Sequence, residues 1–441
     1  MGGRATALPG DLTRRFAATM AELGPFPPAP RLAAGVSGGA DSLALVLLAD
    51  DWARARGGDV LALIVDHGLR AEAAAEAART QERLAGLGIA SRILAVRDLH
   101  PGPALATRAR AARFAALTDA CARAGRTDLL LGHHRADQAE TVLIRALAGS
   151  GPDGLAGMAA LRELASVRLL RPLLDEAPGT LRQALRGAGI GWVEDPSNES
   201  QAAQRARLRR LRADRAGDGP ATRALAEAAR QAGQARAIRE RDIAEWLAAH
   251  ASLRPEGFAL LPAGPFPPGA FSALVQTIAG ADFPPPISAI AALAARPHAA
   301  TLAGARLLPA GRLGPGWILA REAGAMAPPV PALAGAAWDH RFRLLRNGPP
   351  GSTFGGLGAD AASFRRHCPL PAAILATLPA VRLGAALIAV PHLVPHLVPH
   401  LGPGDALSVI ACPPRPAAVP AFVVAPFVAP PGAGMPATQQ G

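Results

Sequence analysis

The stretch Leu32-Ala33-Ala34-Gly35-Val36-Ser37-Gly38-Gly39-Ala40-Asp41-Ser42-Leu43 reads as a strand, a glycine turn and the start of a helix. Leu32 to Val36 has the length of a buried strand, and Leu43 to Trp52 carries the apolar spacing of a helix. Two adjacent glycines let the backbone approach a ligand closely, and the first N–H groups of a helix beginning near Ser42 have no acceptor within it. Such an end holds a phosphate. The chain contains no lysine, so the G-x-x-x-x-G-K-[ST] loop of the common NTPases is absent, and a kinase-like or GTPase-like reading fails. Taken alone, the turn also suits some other doubly wound sheet.

The pattern repeats outward from this unit. Val60 to Val65, Arg92 to Val96, Leu129 to Gly132 and Val167 to Leu174 are strand-like, and 71–86, 104–124, Asp137 to Ala148 and Thr180 to Arg186 are helical. Strands alternating with helices predict an α/β fold, a doubly wound and mostly parallel sheet covered on both faces. Ligands of such sheets bind beyond the carboxyl ends of the strands, where Ser37, Asp66, His133 and His134 fall.

The expected organisation is an N-terminal extension (1–29), an α/β domain with the glycine turn (30–215), a mainly helical domain (216–330), a small C-terminal α+β or β unit (331–412) and a Pro/Ala-rich disordered tail (413–441). The 441 residues provide ample material for such a division.

Arginine supplies the whole cationic excess, 46 against 34 acids for a net charge of +12, which suits bidentate phosphate contacts and an acidic polymer as partner. A GC-rich coding bias would also favour arginine over lysine. Cys121, Cys368 and Cys412 show no ligand spacing, which argues for a reducing compartment without structural zinc. The N-terminus lacks the apolar core of a signal peptide, and prolines interrupt the apolar stretch 370–411, so a cytoplasmic protein without a membrane span is expected. Pro-His-Leu recurs at 391, 395 and 399; a short tandem duplication explains it more simply than a metal site.

Three further motifs carry chemistry. Asp66-His67-Gly68-Leu69-Arg70 follows the second strand. Arg110 and Arg113 share one helix face beside Phe114, as ligand contacts or as a solvated arginine face. Gly132-His133-His134-Arg135-Ala136-Asp137-Gln138-Ala139-Glu140-Thr141 places two acids three residues apart at a helix start. These acids suit the holding and deprotonation of an ammonium group, and equally the helix macrodipole.

In order, SGGADS (37–42), DHGLR (66–70), ARAARF (109–114), GHHRADQAET (132–141), LAGSGPDGLAGM (147–158), RPLL (171–174) and EDPSN (194–198) followed by RARLRR resemble the motif series of the tRNA(Ile)-lysidine synthetases, members of the N-type ATP pyrophosphatase (PP-loop) superfamily. The resemblance covers residues 30–212. Two positions depart from it: Ala136 stands where the family has the first aspartate of a pair, and Ala148 where it has an arginine.

The resemblance implies a cytoplasmic ligase. It adenylates C2 of the wobble cytidine in a CAU-anticodon tRNA(Ile) with ATP and Mg²⁺, then lets L-lysine displace AMP. It further implies that Ser37, Gly38, Gly39, Ala40, Asp41, Ser42, Asp66, His67, Arg70 and His134 bind the nucleotide, with Asp41 the candidate Mg²⁺ ligand. Asp41, Arg113, Asp137 and Glu140 would act in catalysis, the last two on lysine, and Arg110, Arg145, Arg205, Arg207 and Arg209 would contact the tRNA. The oligomeric state, a homodimer included, stays open. Two other functions share features of the chain: a tRNA 2-thiolation enzyme with the same loop, and an RNA-binding protein without catalysis.

Overall fold

In this computed structural model, residues 8–66, 68, 72–96, 102, 105–193, 214, 216–366, 368–393 and 407–425 are described. The chain divides into two units, one formed by residues 1–237 with 422–441 and the other by 238–421.

The first unit is built on a six-stranded sheet of order β3-β2-β1-β4-β6-β5. Its strands are β1 (Arg31–Val36), β2 (Asp59–Asp66), β3 (Ala90–Ala95), β4 (Asp128–Leu131), β5 (Leu161–Glu163) and β6 (Arg168–Leu170). Every pairing is parallel except that of β5 with β6. The chain runs from β1 outward through β2 to β3 and then returns to place β4 on the other side of β1. The order therefore reverses between β1 and β4, which opens a crevice at their carboxyl ends.

Helices α2 (Ala40–Arg54), α3 (Ala73–Gly86), α4 (Leu105–Arg123), α5 (Arg135–Leu147), the four-residue α6 (Pro152–Leu155) and α7 (Pro178–Gly187) accompany the strands. Helix α2 is apolar on nearly all sides because it is buried on nearly all sides, from Leu43 to Ala49 without a break. Over residues 8–29 the expected N-terminal extension is part of the first core. Helix α1 (Gly10–Glu22) sets Leu12, Phe16 and Met20 into the same core as α2, because its apolar positions recur at helical spacing.

Helix α8 (Pro220–His250) contains the boundary between the units. Over 216–330, expected to be mainly helical, three helices are joined by a sheet that the sequence reading did not foresee. Strands β7 (Ser252–Arg254), β8 (Phe258–Leu261), β9 (Ala300–Leu302), β10 (Ala305–Pro309) and β11 (Trp317–Arg321) form an antiparallel sheet of order β7-β8-β11-β10-β9. One face packs Ala259, Leu261, Leu307 and Leu319 under α9 (Pro268–Ala279) and α10 (Ile287–Ala295). The other sets Phe258, Ile318 and Ala320 against Leu357, Ile374 and Leu378. A sheet buried on both faces has no apolar/polar alternation to betray it.

Two small sheets complete the second unit. The first, of order β12-β15-β16-β17, joins β12 (Val330–Pro331), β15 (Thr353–Gly356), β16 (Pro379–Leu383) and β17 (Ala386–Ala389). The other, of order β13-β14-β18, joins β13 (Ala337–Trp338), β14 (Phe342–Leu344) and β18 (Val409–Ala411). The His392 ring packs 5.6 Å from that of Phe342, while His396 and His400 lie outside the described residues.

The expectation of a disordered tail from residue 413 is corrected over 413–425. In the second unit Thr277 donates to the Arg415 carbonyl (3.0 Å), and Ala417 enters the core under α9. In the first unit the Ala160 N–H donates to the Val423 carbonyl (2.8 Å), while Val423 and Ala425 pack on the α1–α2 core.

Candidate active site

The loop after β1 is held by its own serines. The Ser37 N–H donates to Ser42 Oγ (3.1 Å), the two hydroxyls lie 3.2 Å apart, and Ser42 Oγ donates to the Gly39 carbonyl (3.0 Å). Gly38 has φ +83°, and a Cβ there would stand 2.5 Å from Thr80 Oγ1 on α3, so both conformation and space demand glycine. The first bond of α2 runs from the Leu43 N–H to the Gly39 carbonyl, which leaves the amides of Ala40, Asp41 and Ser42 without a helical acceptor. Those amides and the helix dipole favour an anion at this end. The segment after β4 crosses closely above it: a Cβ on Gly132 would be 3.2 Å from Ser42 Cα.

That crossing sets His134 beside Asp41. His134 Nε2 is 3.4 Å from Asp41 Oδ2, and Asp41 Oδ1 is buried without a hydrogen-bond partner. His134 caps α5 reciprocally: its Nδ1 accepts the Asp137 N–H (3.3 Å), while Asp137 Oδ2 accepts the His134 N–H (3.1 Å). A ring nitrogen that accepts from a backbone amide carries no proton, so the His134 proton sits on Nε2, the ring nitrogen nearest Asp41.

His133 occupies the same end of β4, and burial pushes its imidazole down to about 3. Arg171, Arg110 and Arg113 lower it further, and Asp137 opposes them. The ring is neutral at physiological pH.

An orphaned, buried carboxylate oxygen beside open helix amides fits Mg²⁺ held jointly by one acid and a bound phosphate, the usual way this ion is bound. Among the described residues, no group of three His, Cys, Asp or Glu could hold a metal by itself.

The structure brings Ser37 to Ser42, His134 and Asp137 together, with Arg110 and Arg113 near enough to act on His133. Asp66 stands at the end of β2, where its Oδ1 caps the Gly68 N–H (2.9 Å). His67, Arg70, Arg205, Arg207 and Arg209 lie outside the described residues, as do 194–198.

Two of the expected site residues are tied into the fold. Glu140 has no exposed surface. Arg145 is half-buried, and its Nη1 donates to the carbonyls of Gly154 (2.9 Å) and Gly157 (2.6 Å), which braces that loop. Burial lowers its pKa, as does the neighbouring Arg236.

Gln138 was not marked by its position in the motif. Its amide grips both backbone groups of Met158, at 3.0 and 2.7 Å. The signal lay in the paired stretches GHHRADQAET and LAGSGPDGLAGM, which this glutamine ties together. Ala136 is 8% exposed and packs toward Gly217, where a Cβ would lie 3.0 Å from it.

Comparison with known proteins agrees with this geometry. The PP-loop domain model ATP_bind_3 matches residues 11–213. The tRNA(Ile)-lysidine synthase of Ruegeria pomeroyi is 37% identical over 383 residues, which is 82% of this chain and 89% of that one. The chain belongs to the tRNA(Ile)-lysidine synthase family.

The family member from Bradyrhizobium diazoefficiens is 44% identical over 214 residues, and that from Ralstonia nicotianae 43% identical over 215. The match takes in 48% of this chain and 59% of the Bradyrhizobium protein, and 48% and 46% in the Ralstonia pair, so it spans less than two thirds of those relatives. The matched PP-loop domain falls within the first unit, where the crevice lies.

Proposed function

We propose that this protein adenylates the C2 carbonyl oxygen of the wobble cytidine in a CAU-anticodon tRNA(Ile) and exchanges the resulting AMP ester for L-lysine. The observation that carries this reading is the meeting of open α2 amides, the orphaned Asp41 oxygen and neutral His133 at one sheet switch point, inside a chain of the lysidine synthase family.

A carbonyl oxygen leaves poorly as oxide. Esterified to AMP it leaves well, which is why activation precedes amine attack. The loop amides and α2 dipole would stabilise the negative charge that grows on pyrophosphate, and Arg113, whose charge is felt at His133, is proposed to act on the transferring phosphate. Bound beside Asp41, Mg²⁺ would supply Lewis-acid neutralisation of the same oxygens. Asp137 and Glu140 are proposed to hold the incoming ammonium and accept its proton, a reading supported by the position of Asp137 in the cap of α5 beside His134. Arg110, Arg205, Arg207 and Arg209 are proposed as tRNA phosphate contacts.

The thiolation alternative loses support. Cys121 is the single described cysteine of the first unit, has no exposed surface and donates to the Arg126 carbonyl. Burial pushes its thiol up to about 11, with Asp128 adding to the shift against Arg126, so it supplies no thiolate for sulfur transfer.

The test is mass analysis of the anticodon loop after incubation with ATP and lysine: lysidine at the wobble position supports the reading, and unmodified cytidine rejects it. Asp41→Ala is expected to abolish tRNA-stimulated ATP–pyrophosphate exchange and leave tRNA affinity within about twofold. Exchange at the wild-type rate would remove Asp41 from the mechanism.

A further inference from the structure

One cation in the crevice is not used by the scheme above. Arg171 directly follows β6, the strand next to β4, and is 8% exposed. Its Nη1 donates to the Ala159 carbonyl (2.8 Å) and its own N–H to the Ala160 carbonyl (2.7 Å), which anchors the residue. Its Nε is buried with no partner. A guanidinium fixed through one nitrogen with its Nε edge unpaired has the fork that matches an oxyanion.

The surroundings make the same demand. Arg171, Arg110 and Arg113 all act on His133, with Asp137 the opposing acid, and Asp137 already caps α5. Arg162 and Arg110 also act on Arg171 itself. A buried cation among other cations, with a donor left over, is a site short of negative charge. Two strand spacings, about 10 Å, separate β6 from β1, so Arg171 lies along the sheet edge from the pyrophosphate loop at a distance a nucleotide can bridge.

We propose that Arg171 is a phosphate-binding residue whose Nε edge holds an oxyanion of a substrate at the carboxyl end of β6. The oxyanion belongs either to ATP or to the RNA strand entering the crevice. This assignment rests on the proposed chemistry of the crevice, but its test needs no turnover.

The side-chain Nε–H resonance of Arg171, assigned through bonds in the full-length protein, is followed while α,β-methylene-ATP and a CAU anticodon stem-loop RNA are added separately. A downfield shift with the nucleotide identifies ATP as the source; one with the RNA identifies a backbone phosphate. A resonance that stays still at saturation with both ligands overturns the proposal.

Arg171→Lys, which keeps the charge and loses the fork, is expected to weaken the ligand that moves the resonance about tenfold and leave the other unchanged. If that ligand is RNA, the log–log salt dependence of binding becomes shallower by about 0.7 to 0.9. A purely bracing role would alter neither that slope nor one ligand selectively. A protein that moves the resonance yet makes no lysidine would refute the reaction and leave this residue assignment standing.

Discussion

Gly38 shows how narrowly one residue can be specified. Its left-handed backbone costs a residue with a side chain about 1–2 kcal/mol, and the Cβ would press on Thr80. Gly38→Ala is therefore expected to destabilise the first unit by about 2 kcal/mol or more in denaturant titrations. Thr80→Ala in the same chain should recover the steric part and leave the conformational part, a coupling that a double-mutant cycle reads directly.

His133 gives a pH signature. Its folded pKa of about 3 lies below the ordinary 6.5, so the unfolded chain binds the extra proton; the contribution is complete above pH 6.5 and is lost as pH falls toward 3. Asp175 works in the opposite sense. Burial, with Arg135 opposing and Glu176 assisting, raises it from 3.8 to about 6, so its cost to stability appears as pH rises through that window. Urea midpoints between pH 4 and 6 should depend weakly on pH in the wild type, more steeply in Asp175→Asn and with reversed slope in His133→Asn. Parallel curves for all three proteins would contradict the assignment.

Among the elements, α5 carries most of the site, and it is positioned by what it grips. Gln138 fastens the helix to Met158, and Arg145 fastens it to Gly154 and Gly157. Gln138→Ala leaves both backbone groups of Met158 without their partner. The expected cost is about 2–4 kcal/mol, with a raised lysine KM measured at saturating ATP as α5 loosens. An unchanged melting temperature would show that the grip contributes nothing.

The strand–turn–helix units of the first unit were legible because β1, β2 and β4 are each followed by a glycine or capping motif with a local chemical purpose. Helix α1 was missed because its apolar stripe of Leu12, Phe16 and Met20 is short and has no adjacent motif. The sheet from β7 to β11 was missed because strands such as Phe258–Leu261 are Ala- and Leu-rich and covered on both sides, so neither period nor propensity separates them from helix. Within the site, Ser37 to Ser42 and His134 could be read from spacing. The bonds of Arg145 could not, because they form only once the segment from Pro152 to Met158 folds over α5, and nothing local marks Glu140 as buried.

At the scale of the whole molecule, each unit has its own core, and residues 422–425 are part of the first one. Phe422 lies under the Arg236 guanidinium, 4.8 Å from the ring centroid, and with Val424 walls a cavity of about 630 Å³ that also touches Arg135, Gln138, Asp175 and Glu176. Deleting residues from Phe422 onward should lower the melting temperature of the first unit, by an amount equivalent to about 2 kcal/mol of lost apolar burial, and leave the second unit's transition in place. A single unshifted transition would show that this segment only rests on the surface.

The contact between Ala160 and Val423 also fixes an order of events during synthesis. Nearly two hundred residues of the other unit leave the ribosome between the bulk of the first core and the four residues that complete it. The nascent chain must hold an unfinished wall until those four residues have been made, so a message cut short anywhere in the second unit is expected to yield a first unit less stable than the same unit in the longer chain.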